Sequence, residues 1–233
     1  ERFAAEQRTL AQLEHPSIAR LYDSGTLSEG TPWFVMEYVE GTPITEYCRS
    51  HGCNLRERLA LFRQICDAVQ YAHGSLVIHR DLKPSNILVR SDGSVKLLDF
   101  GISKHLDALD SAAEQTRTAM RMMTPAYASP EQIRGDPVGT HTDVYSLGVV
   151  LYELIVGRLP FDLTNRSPSE AERIILEREA ERPSAAAKRM TLITSDVRAG
   201  GIGAEAFGSG GRARRRRIRP ERSRMWRRPK ATP

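Results

Sequence analysis

The stretch VIHRDLKPSNILV, residues Val77–Val89, encloses a polar loop between two short runs of β-branched and aliphatic residues. Apolar runs of this kind are typical of buried strands, and burying a charged group without a partner is costly. A chain that places charges there must give them partners or a use. The polar side chains of the loop are those of His79, Arg80, Asp81, Lys83 and Asn86.

A β-hairpin is predicted directly after this loop. The runs ILV and VKLLDF flank the turn sequence RSDGS, and an Asp-Gly pair between apolar runs is a strong hairpin signal. The second strand ends at DFG, Asp99–Gly101. We therefore expect the hairpin to bring Asn86 and Asp99 to the same end.

The side chains at that end suit phosphoryl transfer. Amide and carboxylate oxygens from Asn86 and Asp99 are ligands that Mg²⁺ accepts while taking its other ligands from water and phosphate. Asp81 can orient a hydroxyl group and accept its proton, and Lys83 offers a point charge for a phosphoryl oxygen. Positioning and charge neutralisation of this kind supply most of the catalysis in phosphoryl transfer.

The remaining patterns predict few strands and several helices, an α+β fold. Residues 1–15 form a helix pattern, and residues 18–41 predict two or three strands with a turn at Glu29 and Gly30. Residues 55–76 predict one long amphipathic helix. Its apolar face is assigned to Leu55, Leu59, Phe62, Cys66 and Val69.

A second long helix, TDVYSLGVVLYELIVG, is apolar around most of its circumference, so we expect it to be buried. Thr142 is the predicted N-cap of this helix. The apolar run within it is too short to span a bilayer.

The net charge of +5 is unevenly distributed along the 233 residues. Residues 212–230 hold ten Arg and one Lys against the single acid Glu221, a net charge of +10. Removing them from the 34 basic and 29 acidic residues of the whole chain leaves −5 for the rest. The basic segment could bind nucleic acid or an acidic membrane through phosphate contacts. A solvated extension is the simpler interpretation, because only Trp226 offers an aromatic ring there.

Composition also predicts where the folded part ends and where the protein resides. From Pro183 onward the sequence becomes rich in Ala, Gly and Arg, which predicts a disordered tail. Three cysteines without framework spacing fit a reducing compartment. No secretory leader is visible, so a cytoplasmic location is expected.

Three motifs in order resemble those of the protein kinases. HRDLKPSN, DFG and SPE (Ser129–Glu131) look like the catalytic loop, the metal-binding turn and the end of the activation segment. The resemblance covers about residues 1–181 and points to the eukaryotic-like serine/threonine kinases of bacteria. It implies a protein-kinase-like fold, mostly the helical C-terminal lobe with a partial N-terminal sheet. The implied parts are a partial N-lobe at 1–38, a C-lobe at 39–182 and a tail at 183–233.

The resemblance implies roles in catalysis for residues of these motifs. Asp81 would be the catalytic aspartate, and Lys83 would mark serine or threonine substrates. Thr124 would contact Asp81 and the substrate-side loop. Asn86 and Asp99 would bind magnesium together with ATP.

The resemblance also implies a nucleotide site and structural supports. VMEYVEG resembles the hinge between the lobes, with Met36 as gatekeeper and the Glu37 carbonyl and Val39 amide paired with adenine. Glu6 would be the glutamate of the lysine–glutamate ion pair. Asp143 would brace the backbone of the catalytic loop.

A regulatory role follows from the arginine before Asp81. By resemblance, Arg80 would be neutralised by a phosphorylated residue of the activation segment. Thr116 and Thr118 are the favoured sites of autophosphorylation, which would take place between two copies of the chain.

Two features of the family are not found in the 233 residues. One is the glycine-rich loop together with the lysine that would pair with Glu6. The other is a set of later helices with an arginine partner for Glu131, where the sequence becomes glycine- and arginine-rich instead. We therefore hypothesise a truncated or out-of-frame product.

Three functions stay open at this point. The first is a serine/threonine kinase acting with ATP on proteins, favoured by the intact motifs. The second is a catalytically impaired kinase fragment that acts as a binding module or not at all, favoured by the missing lysine and glycine-rich loop. The third is a basic-tailed protein that binds nucleic acid or a membrane surface.

Overall fold

Two small antiparallel sheets and a set of helices make up the part of the chain that the computed structural model describes, residues 13–28, 31–100 and 125–189. The strands are β1 Leu21–Thr26, β2 Pro32–Met36, β3 Thr42–Pro43, β4 Ile87–Val89 and β5 Val95–Leu97. The helices are α1 Ile44–Ser50, α2 Leu55–Gly74, α3 Pro130–Arg134, α4 Thr140–Val156 and α5 Pro168–Glu177. Short 3₁₀ turns cover Pro84–Asn86 and Pro125–Tyr127. The predicted α+β class is confirmed.

Both sheets are built on hairpins. β1 pairs with β2, and the second sheet has the order β3-β4-β5. The β4–β5 turn closes through a hydrogen bond of 2.9 Å from the Arg90 amide to the Ser94 carbonyl. Gly93 takes a φ of +79° there, a conformation that glycine adopts without a steric penalty. The predicted Asp-Gly hairpin is therefore confirmed.

Helix α2 begins at a capping box between Asn54 and Glu57. The predicted face is right for Val69, which is buried, and for Phe62, which packs against the core. It is wrong for Leu55, which is 54% exposed, and for Leu59, which is 43% exposed. Most of the buried residues lie one position earlier in the repeat than predicted. The buried residues are Leu61, Ile65, Ala68, Val69 and Ala72.

Helix α4 is buried as predicted, but it starts earlier. Gly139 is the N-cap, and Thr142 lies at the third helical position, so the N-cap assignment of Thr142 is wrong. Its hydroxyl instead accepts a hydrogen bond from the Gly139 amide at 3.3 Å. Gly157, with a φ of +81°, ends the helix in the left-handed conformation typical of a C-cap.

One apolar core joins α2, α4 and the sheet β3-β4-β5. Ile87 and Val89 of β4 and Val95 and Leu97 of β5 lie in this core, whereas Leu88 is only partly buried and the central residue of β5 is Lys96. Leu82, within the polar loop, is buried in the same core and anchors the loop to it. The fully buried side chains include Ile44, Ile65, Ile87, Val95, Leu97 and Val150.

Ordered structure continues past Pro183, where composition predicted that a disordered tail begins. Residues 183–189 are helical. Ala186 is completely buried against Tyr152 and Val156 of α4, and this packing offsets the entropy of ordering the segment. The remaining part of that tail lies outside the described residues. None of the helices in the described ranges is long and apolar enough to cross a membrane.

The position of the α2 face can be tested with two substitutions on that helix. Ile65→Ala should lower the free energy of unfolding by about 2–5 kcal/mol, because it opens a cavity in the core. Leu59→Ala, on the exposed face, should cost less than about 1 kcal/mol. Urea unfolding of both variants measures the difference, and equal losses would contradict the observed face.

Candidate active site

Two side chains of the polar loop, those of Lys83 and Asn86, contact the Asp81 carboxylate. Lys83 Nζ lies 2.8 Å from Asp81 Oδ2. Asn86 Nδ2 donates to the Asp81 carbonyl at 2.9 Å and to Oδ2 at 3.1 Å. The side chains of Asp81 and Lys83 are 21% and 20% exposed, so the carboxylate is only partly buried.

The hairpin brings Asn86 and Asp99 to one end, as the sequence predicts. Asn86 ends the 3₁₀ turn before β4, and its carbonyl accepts a hydrogen bond of 2.9 Å from the Leu98 amide. Asp99 follows Leu98 directly and is exposed, with a φ of +55°. Its backbone therefore occupies a left-handed conformation that a non-glycine residue seldom adopts.

The residues present fit a magnesium ion that takes most of its ligands from elsewhere. Asn86 Nδ2 is engaged by Asp81, which leaves the amide oxygen Oδ1 as the atom suited to a hard cation. The exposed Asp99 carboxylate supplies a second oxygen. Within the described ranges no group of three His, Cys, Asp or Glu side chains could hold a metal by itself.

The Asp143 carboxylate, in the first turn of α4, holds the backbone of the loop. Oδ2 accepts the His79 amide and Oδ1 accepts the Arg80 amide, each at 2.8 Å. Arg80 has a φ of +69°, a conformation that needs such support. His73 Nε2, from the last turn of α2, lies 2.7 Å from Oδ2. His73 was not singled out from the sequence, and only its place at the end of a helix before the loop hints at a role.

His79 supports the loop rather than acting as a base. It is completely buried, its ring packs against Phe100 at a centroid distance of 4.5 Å, and Nδ1 accepts the Asp81 amide at 3.4 Å. Burial lowers the pKa of this imidazole, although Asp143 and Asp81 act in the opposite direction. A neutral ring fits a position between the loop and the DFG turn.

The region around SPE connects to the same loop. Ser129 caps α3 through a capping box, and Gln132 Nε2 donates to the Arg80 carbonyl at 2.7 Å. Glu131 Oε1 accepts the Thr142 hydroxyl at 2.7 Å, and His141 Nε2 lies 3.3 Å away. α3 and α4 are therefore joined through Glu131. Within the described residues, the buried Nε of Arg80 makes no hydrogen bond.

The predicted hinge follows β2. Met36 ends that strand and packs against the core. The Glu37 amide donates to the Arg20 carbonyl at 2.8 Å, which fixes the start of the segment. In the described part of the chain no hydrogen bond engages the Glu37 carbonyl or the Val39 amide.

Four residues of the predicted site lie outside the described residues, so their roles stay predictions. They are Glu6, Thr116, Thr118 and Thr124. Just after Thr124, the Tyr127 hydroxyl donates to Glu153 Oε2 at 2.6 Å, a contact that the motifs did not reveal. Burial, together with this carboxylate, raises the pKa of Tyr127, so the phenol stays protonated as the donor.

The support from Asp143 can be measured directly. Asp143→Ala removes the acceptor of two backbone amides and leaves His73 unpaired, so we expect a loss of about 3 kcal/mol or more in unfolding free energy. Amide hydrogen exchange at His79 and Arg80 should accelerate. The exposed Asp136→Ala is the matched control and should change neither quantity. Unchanged exchange at both amides in the Asp143 variant would show that the carboxylate is dispensable.

Acid should weaken the Glu131–Thr142 contact. Burial acts to raise the pKa of Glu131, but the hydrogen bonds from the Thr142 hydroxyl, its own amide and Ser129, together with His141, outweigh burial and lower this pKa below its ordinary value. A lowered folded-state pKa stabilises the protein above the unfolded-state pKa, and this stability is lost as the pH falls through the folded value. Thr142→Val should therefore flatten the loss of stability between about pH 6 and about pH 3. The exposed Thr140→Val is the control, and an identical slope in all three proteins would contradict the prediction.

Comparison with known proteins agrees with this geometry. The family model described as the protein kinase domain matches residues 1–196. The chain is 45% identical over 166 residues to the serine/threonine-protein kinase PknA of Mycobacterium tuberculosis. It is 40% identical over 171 residues to PknB of the same species. It is 41% identical over 166 residues to a probable serine/threonine-protein kinase, CE0033, of Corynebacterium efficiens.

These alignments cover most of this chain but a small part of each relative. They span 69%, 72% and 70% of the chain, and 38%, 27% and 25% of PknA, PknB and the Corynebacterium protein. The chain thus spans between a quarter and two fifths of the length of these relatives. Because the family model covers well over half of the sequence, the chain belongs to the protein kinase family.

Proposed function

We propose that this protein transfers the γ-phosphoryl group of Mg·ATP to serine or threonine hydroxyls of proteins. The observation that carries the proposal is the cluster of Asp81, Lys83 and Asn86 around one partly exposed carboxylate. Its relatives PknA and PknB, named as serine/threonine kinases, support the same reaction class.

The chemistry of the cluster follows from its contacts. The substrate hydroxyl oxygen forms a bond to the γ-phosphorus, the bond from that phosphorus to the bridging oxygen breaks, and ADP leaves. Asp81 orients the hydroxyl and takes its proton. Lys83, 2.8 Å from Asp81, is placed to neutralise a phosphoryl oxygen near the same point. Asn86 and Asp99 would hold the magnesium ion, which supplies charge neutralisation on the phosphates.

Regulation by phosphorylation is part of the proposal. Arg80 contributes a buried guanidinium nitrogen that has no partner within the described residues. A phosphate on Thr116 or Thr118 would give this cation a charge-assisted partner and order the activation segment. Transfer between two copies of the chain would supply that phosphate. The cytoplasmic location and the binding of nucleic acid or membrane by residues 212–230 stay predictions.

Intact mass after incubation with Mg·ATP tests the reaction. The native chain should gain phosphate that maps to Thr116 or Thr118. Asp81→Asn should reduce the rate by about a hundredfold or more, because the group that accepts the proton is lost.

Asp92→Asn, an equally small change in the exposed β4–β5 turn, is the control and should behave as the native chain does. Equal phosphate on the Asp81 variant would overturn the assignment. No phosphate on the native chain would favour the alternative, a kinase homologue that acts as a binding module.

A further inference from the structure

A lysine lies at the centre of a strand that is otherwise apolar. Lys96 is paired across the sheet with Leu88 and stands between Val95 and Leu97, which are both completely buried. Lys96 itself is only 9% exposed. A buried ammonium group is costly unless it is paired and hydrogen-bonded, so its partners indicate what it does.

The partners of Lys96 come from the hinge side of the fold. Its Nζ donates to Glu37 Oε2 at 2.8 Å and to the Ile18 carbonyl at 3.1 Å. Glu37 Oε2 also accepts the Arg20 amide at 3.1 Å, while the Glu37 amide donates to the Arg20 carbonyl. Glu37 is thus held through both its backbone and its side chain.

Because Glu37 is held in this way, the backbone groups of the hinge near it have a fixed position. With the Glu37 carboxylate bound to Lys96 and the Glu37 amide bound to Arg20, the groups left unengaged in the described ranges include the Glu37 carbonyl and the Val39 amide. One acceptor and one donor two residues apart match the amino group and ring nitrogen on the edge of adenine.

The same strand leads to the phosphate end of the site. β5 is tied to the segment before β1 by hydrogen bonds of 2.8 Å from Leu97 to the Ser17 carbonyl and from Ala19 to the Leu97 carbonyl. Three residues after Lys96 comes Asp99. The Lys96–Glu37 ion pair therefore connects β5, which leads to Asp99, with the hinge segment that would contact adenine.

We propose that Lys96 is a positioning residue for nucleotide binding, which fixes the hinge backbone through Glu37 so that it can receive the adenine ring. This inference rests on the proposed function. Lys96 should then affect binding of the adenosine part of ATP and not binding of its phosphates. A pair that only stabilised the fold would affect both halves of the nucleotide equally or neither of them.

Binding of two fragments of ATP separates these effects. Calorimetry in the presence of Mg²⁺ would compare adenosine, inorganic tripolyphosphate and ATP. Lys96→Met should lower the affinity for adenosine and for ATP by the same factor, about tenfold, and leave the affinity for tripolyphosphate unchanged. Lys96→Arg, which keeps the charge, should recover most of the affinity.

Two further variants keep the test independent of folding. Lys96→Met/Glu37→Gln removes both charges of this pair, so it should fold even if the single variant does not, and its affinity for adenosine should still be low. Glu14→Gln breaks the exposed ion pair between Glu14 and Arg20, beside the same hinge, and should bind all three ligands as the native chain does. Equal loss of adenosine and tripolyphosphate affinity, or no loss of either, would overturn the inference.

Amide exchange distinguishes failure of this inference from failure of the proposed function. The Glu37 amide, which donates to the Arg20 carbonyl, should exchange faster in Lys96→Met, or in the double variant, without any nucleotide present. If the native chain binds neither adenosine nor ATP, nucleotide binding by this chain is wrong, and the exchange result alone decides whether Lys96 fixes the hinge. Unchanged exchange of the Glu37 amide would then reject this role of Lys96.

Discussion

The candidate site depends on the hydrogen bonds that the buried carboxylate of Asp143 accepts. It accepts the amides of His79 and Arg80 and lies beside His73, so one charge joins α4, α2 and the catalytic loop. Charge-assisted bonds to backbone amides are stronger than ordinary ones, and removing the acceptor leaves buried donors unsatisfied. Arg80 keeps its left-handed backbone because Asp143 holds its amide and Gln132 holds its carbonyl.

From that support the site is assembled mainly by short-range structure. The loop leads through one 3₁₀ turn into β4, and a tight hairpin returns the chain through β5 to Asp99. Asn86 precedes β4 and Asp99 follows β5, so the hairpin of these two strands places both residues at the same end. The placement of these groups therefore depends on rigid strands and a buried core rather than on long loops, which is what the proposed phosphoryl transfer would need.

This locality explains what could be predicted from the sequence. The hairpin, the buried helix and the juxtaposition of Asn86 with Asp99 follow from turn chemistry and periodicity within a few residues. The apolar face of α2 was assigned one residue too late, because Leu55 and Leu59 satisfy the helical repeat equally well and only the packing partner decides which stripe is buried.

Contacts between residues far apart in the chain could not be predicted from turn chemistry or periodicity. The partnership of His73 with Asp143 joins positions 70 residues apart, and Lys96 meets Glu37 across 59 residues. Thr142 was assigned as a cap because its residue type fits, whereas Glu131, from a neighbouring helix, takes its hydroxyl. Pairings of this kind depend on the tertiary fold, and no local pattern specifies them.

The polar groups that stay unsatisfied are informative for the same reason. In the described part of the chain, three buried side-chain atoms make no hydrogen bond, and they are His79 Nε2, Arg80 Nε and Tyr152 Oη. Two of the three belong to the catalytic loop, although the structure elsewhere pairs even a lysine buried in a strand. Folded proteins satisfy nearly all such groups, and exceptions concentrate where function rather than stability sets the requirement. Among the charges of the opening stretch, Asp81 and Lys83 pair with each other, whereas Arg80 retains a buried donor that a phosphate could engage.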